Sequence, residues 1–394
     1  MRGTLTEFTW TYDGASQVPR NHQISCRYEA FTPTLIAAEQ FEFNSLAVAD
    51  ISDAERSIVR MDARADPVLD PFARLLLRSE AIASSKIEGL QVGVRDLARA
   101  EAKRSLGIRV GTNALEIIHA MDTMQRAVDQ ASAEPKVSSQ LIAELHGVLM
   151  EPAPRWTNAG EYRNVQNWIG GNDFNPCMAA FVPPPPDQVE ELVTDLCAFM
   201  NRDDLPPIAQ AAIAHAQFET IHPFVDGNGR TGRALIHVVL RRRGIAEHFV
   251  PPISVVLARR VDHYINGLVS FRDGDLGGWV ERFSTAARES ARLAGTYLDD
   301  VTALRQSWRE RLAAGPDSPR RDAVAWRLLE LLPSNLALTA PAAVEATGVS
   351  LPRVGNAISQ LVAAGVLAPL GEGRRNRSWE PVGLIEIIEA LELT

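Results

Sequence analysis

The sequence predicts a mainly α-helical chain with one small β-hairpin and a C-terminal winged helix-turn-helix module. Three observations carry that prediction. Long stretches repeat apolar residues at spacings of three and four, the signature of amphipathic helices. One stretch, "GEYRNVQNWIGGNDFNPCMAAFVPPPP" (Gly160–Pro186), breaks the rhythm with two extended runs around a turn-rich centre. The residues from 323 onward carry a separate pattern of two short helices, a glycine turn and two extended runs.

Composition narrows the class further. A chain of 394 residues divides into two or three domains. With 46% hydrophobic and 23% charged residues, each domain can bury a core without help from disulfides or metal. Forty basic residues against forty-nine acidic ones give a net charge of −9. No general attraction to nucleic acid or an anionic membrane follows, and any such affinity must come from a local patch. Cys26, Cys177 and Cys197 are an odd count at unrelated spacings, so free thiols and a reducing compartment are expected. The opening "MRGTLTEFTWTYDGASQ" lacks an apolar signal region, and no apolar run reaches the ~18 residues of a membrane span. A cytoplasmic protein without membrane contact is the expectation.

Residues 1 to about 45 are polar with scattered aromatics and show no clear period. From Pro71, "PFARLLLRSEAIASSKIEGL" places Phe72, Leu75, Leu76, Ser79, Ala83 and Ile87 on one helical stripe. Further helices are expected in "TNALEIIHAMDTMQRAVDQ", "SSQLIAELHGVLM", "PDQVEELVTDLCAFMNR" and "PPIAQAAIAHAQFETI", the last opened by prolines where a missing N–H costs least. The chain stays helical and polar beyond Tyr297, and the Gly/Pro/Ser-rich "LAAGPDSPRRD" (Leu312–Asp322) marks a domain boundary.

The densest chemistry lies in "FETIHPFVDGNGRTGRAL", Phe218–Leu235. Leu235, Val238, Val239 and Arg242 keep helical spacing downstream, and Gly244 sits at a C-terminal cap position. Gly227, Asn228 and Gly229 therefore open a helix, where free N–H groups and the macrodipole favour an anion. Arg230 and Arg233, three apart, reach the same side, which suits a polyphosphate. No lysine follows the glycines and no strand precedes them, so neither a Walker loop nor a dinucleotide fingerprint fits. His222 can accept a proton from an attacking hydroxyl, and Asp226 beside a polyphosphate can hold Mg²⁺.

"HPFVDGNGRTGR", His222–Arg233, resembles the active-site motif of the Fic family, H-x-F-x-[D/E]-G-N-G-R-x-x-R, at every defining position. The resemblance covers roughly residues 35–300 and implies a Fic-type helical bundle with a flap. It implies a protein adenylyltransferase that moves AMP from ATP to a Ser, Thr or Tyr hydroxyl of a target protein or of itself. In that reading His222 is the base and Asp226 holds the Mg²⁺. The backbone at Gly227, Asn228 and Gly229, with Arg230 and Arg233, binds the phosphates, while Phe224 anchors the loop. Glu219 and Tyr264 become nucleotide contacts by the same resemblance.

Two more segments gain a role from it. Ser84, Glu88 and Gly89 in "SSKIEG" match the family's inhibitory pattern [S/T]-x-x-x-E-[G/N], which implies that Glu88 competes with ATP for Arg233. The Gly160–Val182 hairpin resembles the flap that accepts an extended target segment by strand addition. In the C-terminal module, Ser350 is an N-cap, Val354, Ile358 and Leu361 face inward, and Arg353, Asn356 and Gln360 face outward. Arg374, Arg375 and Arg377 mark the tip of a wing, so DNA and protein are both open as partners there. The expected layout is an N-terminal helical region at 1–115, a catalytic core at 116–300, a linker at 301–322 and a winged helix at 323–394. A homodimer is compatible with this layout. Two other functions stay open: a DNA-binding regulator whose core senses nucleotide, and an enzyme that removes AMP.

Overall fold

The computed structural model describes residues 3–12, 14, 18–65, 70–133, 136–154, 157–315, 319–371 and 376–393. The elements run β1 (Gly3–Trp10), β2 (Cys26–Pro33), α1 (Ser45–Asp62), α2 (Asp70–Ile87), α3 (Val94–Ser105), α4 (Thr112–Ala133) and α5 (Ser139–Met150). They continue with α6 (Val189–Met200), α7 (Pro207–Ile221), α8 (Asn228–Arg242), α9 (Ile253–Arg259), α10 (Val261–Arg272) and the long α11 (Leu276–Ala314). The C-terminal module holds α12 (Val324–Leu331), β3 (Leu338–Thr339), α13 (Ala340–Thr347), α14 (Leu351–Ala363), β4 (Leu367–Pro369), β5 (Ser378–Pro381) and α15 (Leu384–Leu393). The predicted mainly helical class holds. No helix among the described residues is long and apolar enough to cross a membrane.

The chain forms two compact units and enters each of them three times. The first comprises residues 1–55, 126–245 and 260–285. Its centre is α7, whose residues from Ile208 to Ile221 are all buried. Such a helix has no polar face and must be surrounded by other elements. α6 and α8 flank it, and Trp279 of α11 donates its indole N–H to the Ala212 carbonyl at 2.8 Å. Asp195 of α6 caps the turn after β2 by accepting from Ile36 N and Ala37 N.

The second unit comprises residues 56–125, 246–259 and 286–394. Within it Asp62 accepts from the backbone N–H groups of Glu247, His248 and Phe249 at 2.8–3.0 Å. The fully buried Glu80 of α2 accepts from Ser254 N and Ser254 Oγ at the start of α9. The C-terminal sheet has the order β3-β5-β4, with α13 and α14 joined through Gly348 in the left-handed region (φ 66°). Val354, Ile358 and Leu361 are buried as expected; Arg353 and Asn356 are exposed and Gln360 is half-buried. Arg374 and Arg375 lie outside the described residues. The module is tied to α3 by Arg95, which pairs with Glu380 and Glu386, and by Arg99, which donates to the Leu370 carbonyl.

Two expectations are corrected. The Gly160–Pro186 hairpin reduces to a single antiparallel bridge between Ile169 and Phe181, while the regular hairpin is β1–β2, in the segment that showed no period. β1 is exposed at most positions, so its sequence carries no inside–outside alternation to read. Cys26 and Cys177 are disulfide-bonded, which overturns the expectation of free thiols. They stand 151 residues apart and meet only because β2 lies against the short turn Pro176–Met178. Cys197 remains a buried thiol, its pKa pushed up to about 12 by burial. A disulfide crosslink typically contributes about 2–4 kcal/mol. Cys177→Ser should therefore lower the stability of the chain by that amount, measured as a drop in urea midpoint, and added dithiothreitol should then have no further effect.

Candidate active site

α7 ends at His222, whose backbone is left-handed (φ 49°). A non-glycine residue there is uncommon and persists only when its surroundings hold it. The loop that follows is held from several sides. The fully buried Phe224 ring stacks on His146 at 3.7 Å between centroids and on Tyr162 at 5.0 Å. The Asn228 side chain closes the loop on itself: Oδ1 accepts from Phe224 N and Nδ2 donates to Phe224 O, both at 2.8 Å. Gly227 is left-handed (φ 75°), and a Cβ there would sit 2.7 Å from Met150 Sδ. Any other residue type there would strain the left-handed backbone and push the Met150 side chain aside.

These contacts set the first turn of α8 at the loop's open side. Its leading N–H groups have no carbonyl within the helix to bond, so they and the macrodipole favour a negative ligand. Asp226 is exposed, with Oδ1 accepting from Gly227 N at 2.6 Å. Arg230 and Arg233 are both buried beneath the turn. His222 is half-buried, and its Nδ1 lies 3.9 Å from Glu219 Oε2, beyond hydrogen-bond distance. Glu219 Oε1 lies 4.0 Å from His215 Nδ1 on the same helix.

The structure therefore brings Glu219, His222, Asp226, Gly227, Asn228, Gly229, Arg230 and Arg233 into one braced turn. Tyr264 lies behind it on α10, 5% exposed, with its hydroxyl 2.8 Å from His215 Nε2. Ser84, Glu88 and Gly89 belong to the second unit, at the end of α2, where Ser84 is buried and Glu88 exposed.

Sequence reasoning missed His146. Its Nδ1 accepts from Gly160 N at 2.9 Å, so the ring proton sits on Nε2 and is donated to the Asp226 carbonyl at 3.0 Å. A single histidine on an amphipathic helix gives no signal of that role. Burial lowers the His146 pKa to about 4, and burial followed by the Arg233 charge lowers His215 to about 3. Both rings are thus neutral in the folded chain and take protons first when unfolded, near pH 6.5. Their contribution is fully present above that pH and is lost as pH falls toward 4 and 3. Urea titrations should show stability declining below about pH 6.5 by up to ~1.4 kcal/mol per pH unit for each group; a curve that stays flat down to pH 4.5 would contradict the neutral assignment.

The flap is backed by the N-terminal hairpin of the same unit. Trp10 meets Trp168 edge-on at 5.6 Å, His22 stacks on Phe174 at 5.2 Å, and Asn175 Nδ2 donates to the His22 carbonyl at 2.9 Å. Arg272 of α10 covers the Phe181 ring at 3.9 Å.

A helical core thus gathers a histidine, a carboxylate and two arginines around one helix N-terminus. The profile of the Fic/DOC family matches residues 136–240, and that of the Fic/DOC family N-terminal region matches residues 48–129. The chain belongs to the Fic/DOC family. It is 26% identical over 297 residues to protein adenylyltransferase Fic of Drosophila grimshawi, which covers 66% of this chain and 58% of that relative. It is 31% identical over 132 residues to protein adenylyltransferase fic-1 of Caenorhabditis elegans, 33% of this chain and 23% of the relative. The chain thus spans little more than half the length of the Drosophila relatives it matches, and less of the Caenorhabditis one. Among solved structures, a Fic family protein from Desulfovibrio desulfuricans G20 superposes with a TM-score of 0.54 at 22% identity, over 87% of this chain and 98% of that one. Fic-1 (residues 134–508) from C. elegans gives 0.51 at 23% identity, over 66% and 75%.

Proposed function

We propose that the protein is an adenylyltransferase that moves AMP from ATP to a hydroxyl side chain of a target protein or of itself. The observation that carries this reading is the braced turn His222–Arg233, where a base faces an anion cradle across a few residues. The target oxygen attacks the α-phosphorus, and the bond from that phosphorus to the bridging oxygen breaks. Pyrophosphate leaves while the hydroxyl proton passes to His222. Catalysis is positioning and charge stabilisation at phosphorus, with no covalent enzyme intermediate.

The α8 N–H groups, Arg230 and Arg233 suit the phosphates. Asp226 offers one exposed carboxylate, which fits a Mg²⁺ that takes its other ligands from water and phosphate. The ion supplies neutralisation of phosphate charge. Glu88 is the brake: by the inhibitory pattern it takes the place of the γ-phosphate at Arg233, so that ATP is held unproductively. A free edge of the 160–182 flap would receive the target chain as an added strand. The C-terminal module fits a winged helix, with Arg353 and Asn356 of α14 exposed for a DNA or protein partner. Intact-mass measurement of the chain and of lysate proteins after incubation with ATP and Mg²⁺ tests the reaction. Added AMP is the expected result, and its absence with the Glu88→Gly variant would overturn it.

A further inference from the structure

Arg163, on the segment entering the flap, is 3% exposed, and every nitrogen of its guanidinium meets a backbone carbonyl. Nε donates to His222 O at 2.9 Å, Nη2 to Pro184 O at 2.6 Å and to Ile221 O at 3.3 Å, and Nη1 to Val165 O at 3.2 Å. Its backbone N–H donates to Pro223 O at 2.9 Å. Four residues on, Asn167 Nδ2 donates to His222 O at 3.2 Å and to Phe224 O at 2.8 Å. Together the two residues engage the carbonyls of 221, 222, 223 and 224 in succession. This is the stretch that carries the left-handed residue His222.

Burying a cation among neutral carbonyls is costly, and burial holds the Arg163 pKa down at about 10. The arrangement makes sense where the shape of the turn matters more than the stability of the fold. Val165 and Pro184 stand on the two arms of the flap, so the same guanidinium links both arms to the turn.

We propose that Arg163 and Asn167 are positioning residues: they fix the carbonyls of 221–224 and thereby aim the His222 imidazole and register the flap against it. The inference rests on the proposed transfer reaction for its kinetic consequence, but not for its structural one. A misplacement of about 1 Å can cost about 10²-fold in rate. In the Glu88→Gly chain, Arg163→Lys should lower kcat for AMP transfer by about 10²-fold and Asn167→Ala by about 10-fold. KM for ATP should stay within about 3-fold, because the phosphate cradle is built on α8.

Amide hydrogen exchange gives a readout that needs no turnover. The Phe224 N–H, bonded to Asn228 Oδ1, should exchange at least ~10-fold faster in both variants, while the amides of Ile213 and Ala214 in mid-α7 keep their protection. If the parent chain transfers no AMP, the reaction reading fails and exchange alone decides the positioning role. Unchanged exchange at Phe224 in Asn167→Ala, whose half-buried side chain can be removed without emptying a core, overturns the proposal. So does a loss of protection spread evenly along α7, or a rise in KM for ATP that accounts for the whole kinetic loss.

Discussion

Alanine at position 222 should lower AMP transfer by about 10²–10⁴-fold, the range of a lost general base, and leave nucleotide binding nearly intact. The structure gives both halves of that expectation. His222 projects from the end of α7, whereas the proposed phosphate cradle is the start of α8. The loop between them is held by Phe224, Asn228 and His146, none of which depends on the imidazole. Alanine carries a modest backbone cost at φ 49°, so His222→Asn, which tolerates the left-handed region, is the matched control. Radiolabelled AMP incorporation should fall equally in both variants, with ATP affinity by calorimetry within about 3-fold of the parent. Transfer that survives in His222→Asn would mean that another group takes the proton.

Glycine at position 88 should raise AMP incorporation by about 5–150-fold, the span of a coupling free energy of 1–3 kcal/mol. Glu88 is exposed just beyond α2, its N–H bonded to Ser85 O, and Gly89 already takes a left-handed turn there. Removing its side chain thus leaves the α2 core of Leu75, Leu76 and Ala83 untouched. A gain with unchanged melting temperature would identify the carboxylate as a brake rather than a strut. Incorporation no higher than in the parent would remove the autoinhibition proposal and leave the transfer proposal standing.

Much of this was legible in the sequence because the relevant information is local. The His222–Arg233 run encodes its own turn, since Gly227, Asn228 and Phe224 interact within five residues of one another. The helices α4, α5 and α6 announce themselves by period, and α7 by the prolines at its start. What escaped notice depends on pairs distant in the chain. His146 reaches Asp226 across 80 residues, Arg163 reaches His222 across 59, and Cys26 reaches Cys177 across 151. The β1–β2 hairpin escaped for a different reason. β1 is largely exposed and β2 mostly half-buried, so the pair lacks the clear alternation that one fully buried face imposes. Tyr264 was named from the sequence, but its bond to His215 and its place behind the turn were not legible there.

The N-terminal ribbon also has a consequence for the order of assembly. Trp10, His22 and Cys26 must find Trp168, Phe174 and Cys177, which leave the ribosome some 150 residues later. Local helices condense first, and contacts that close so long a loop come late. A nascent chain therefore holds its first two strands without their flap partners through the synthesis of α1 to α5. The 160–182 segment, proposed above to receive a target's extended strand, is thus backed by the ribbon only once those late contacts have formed.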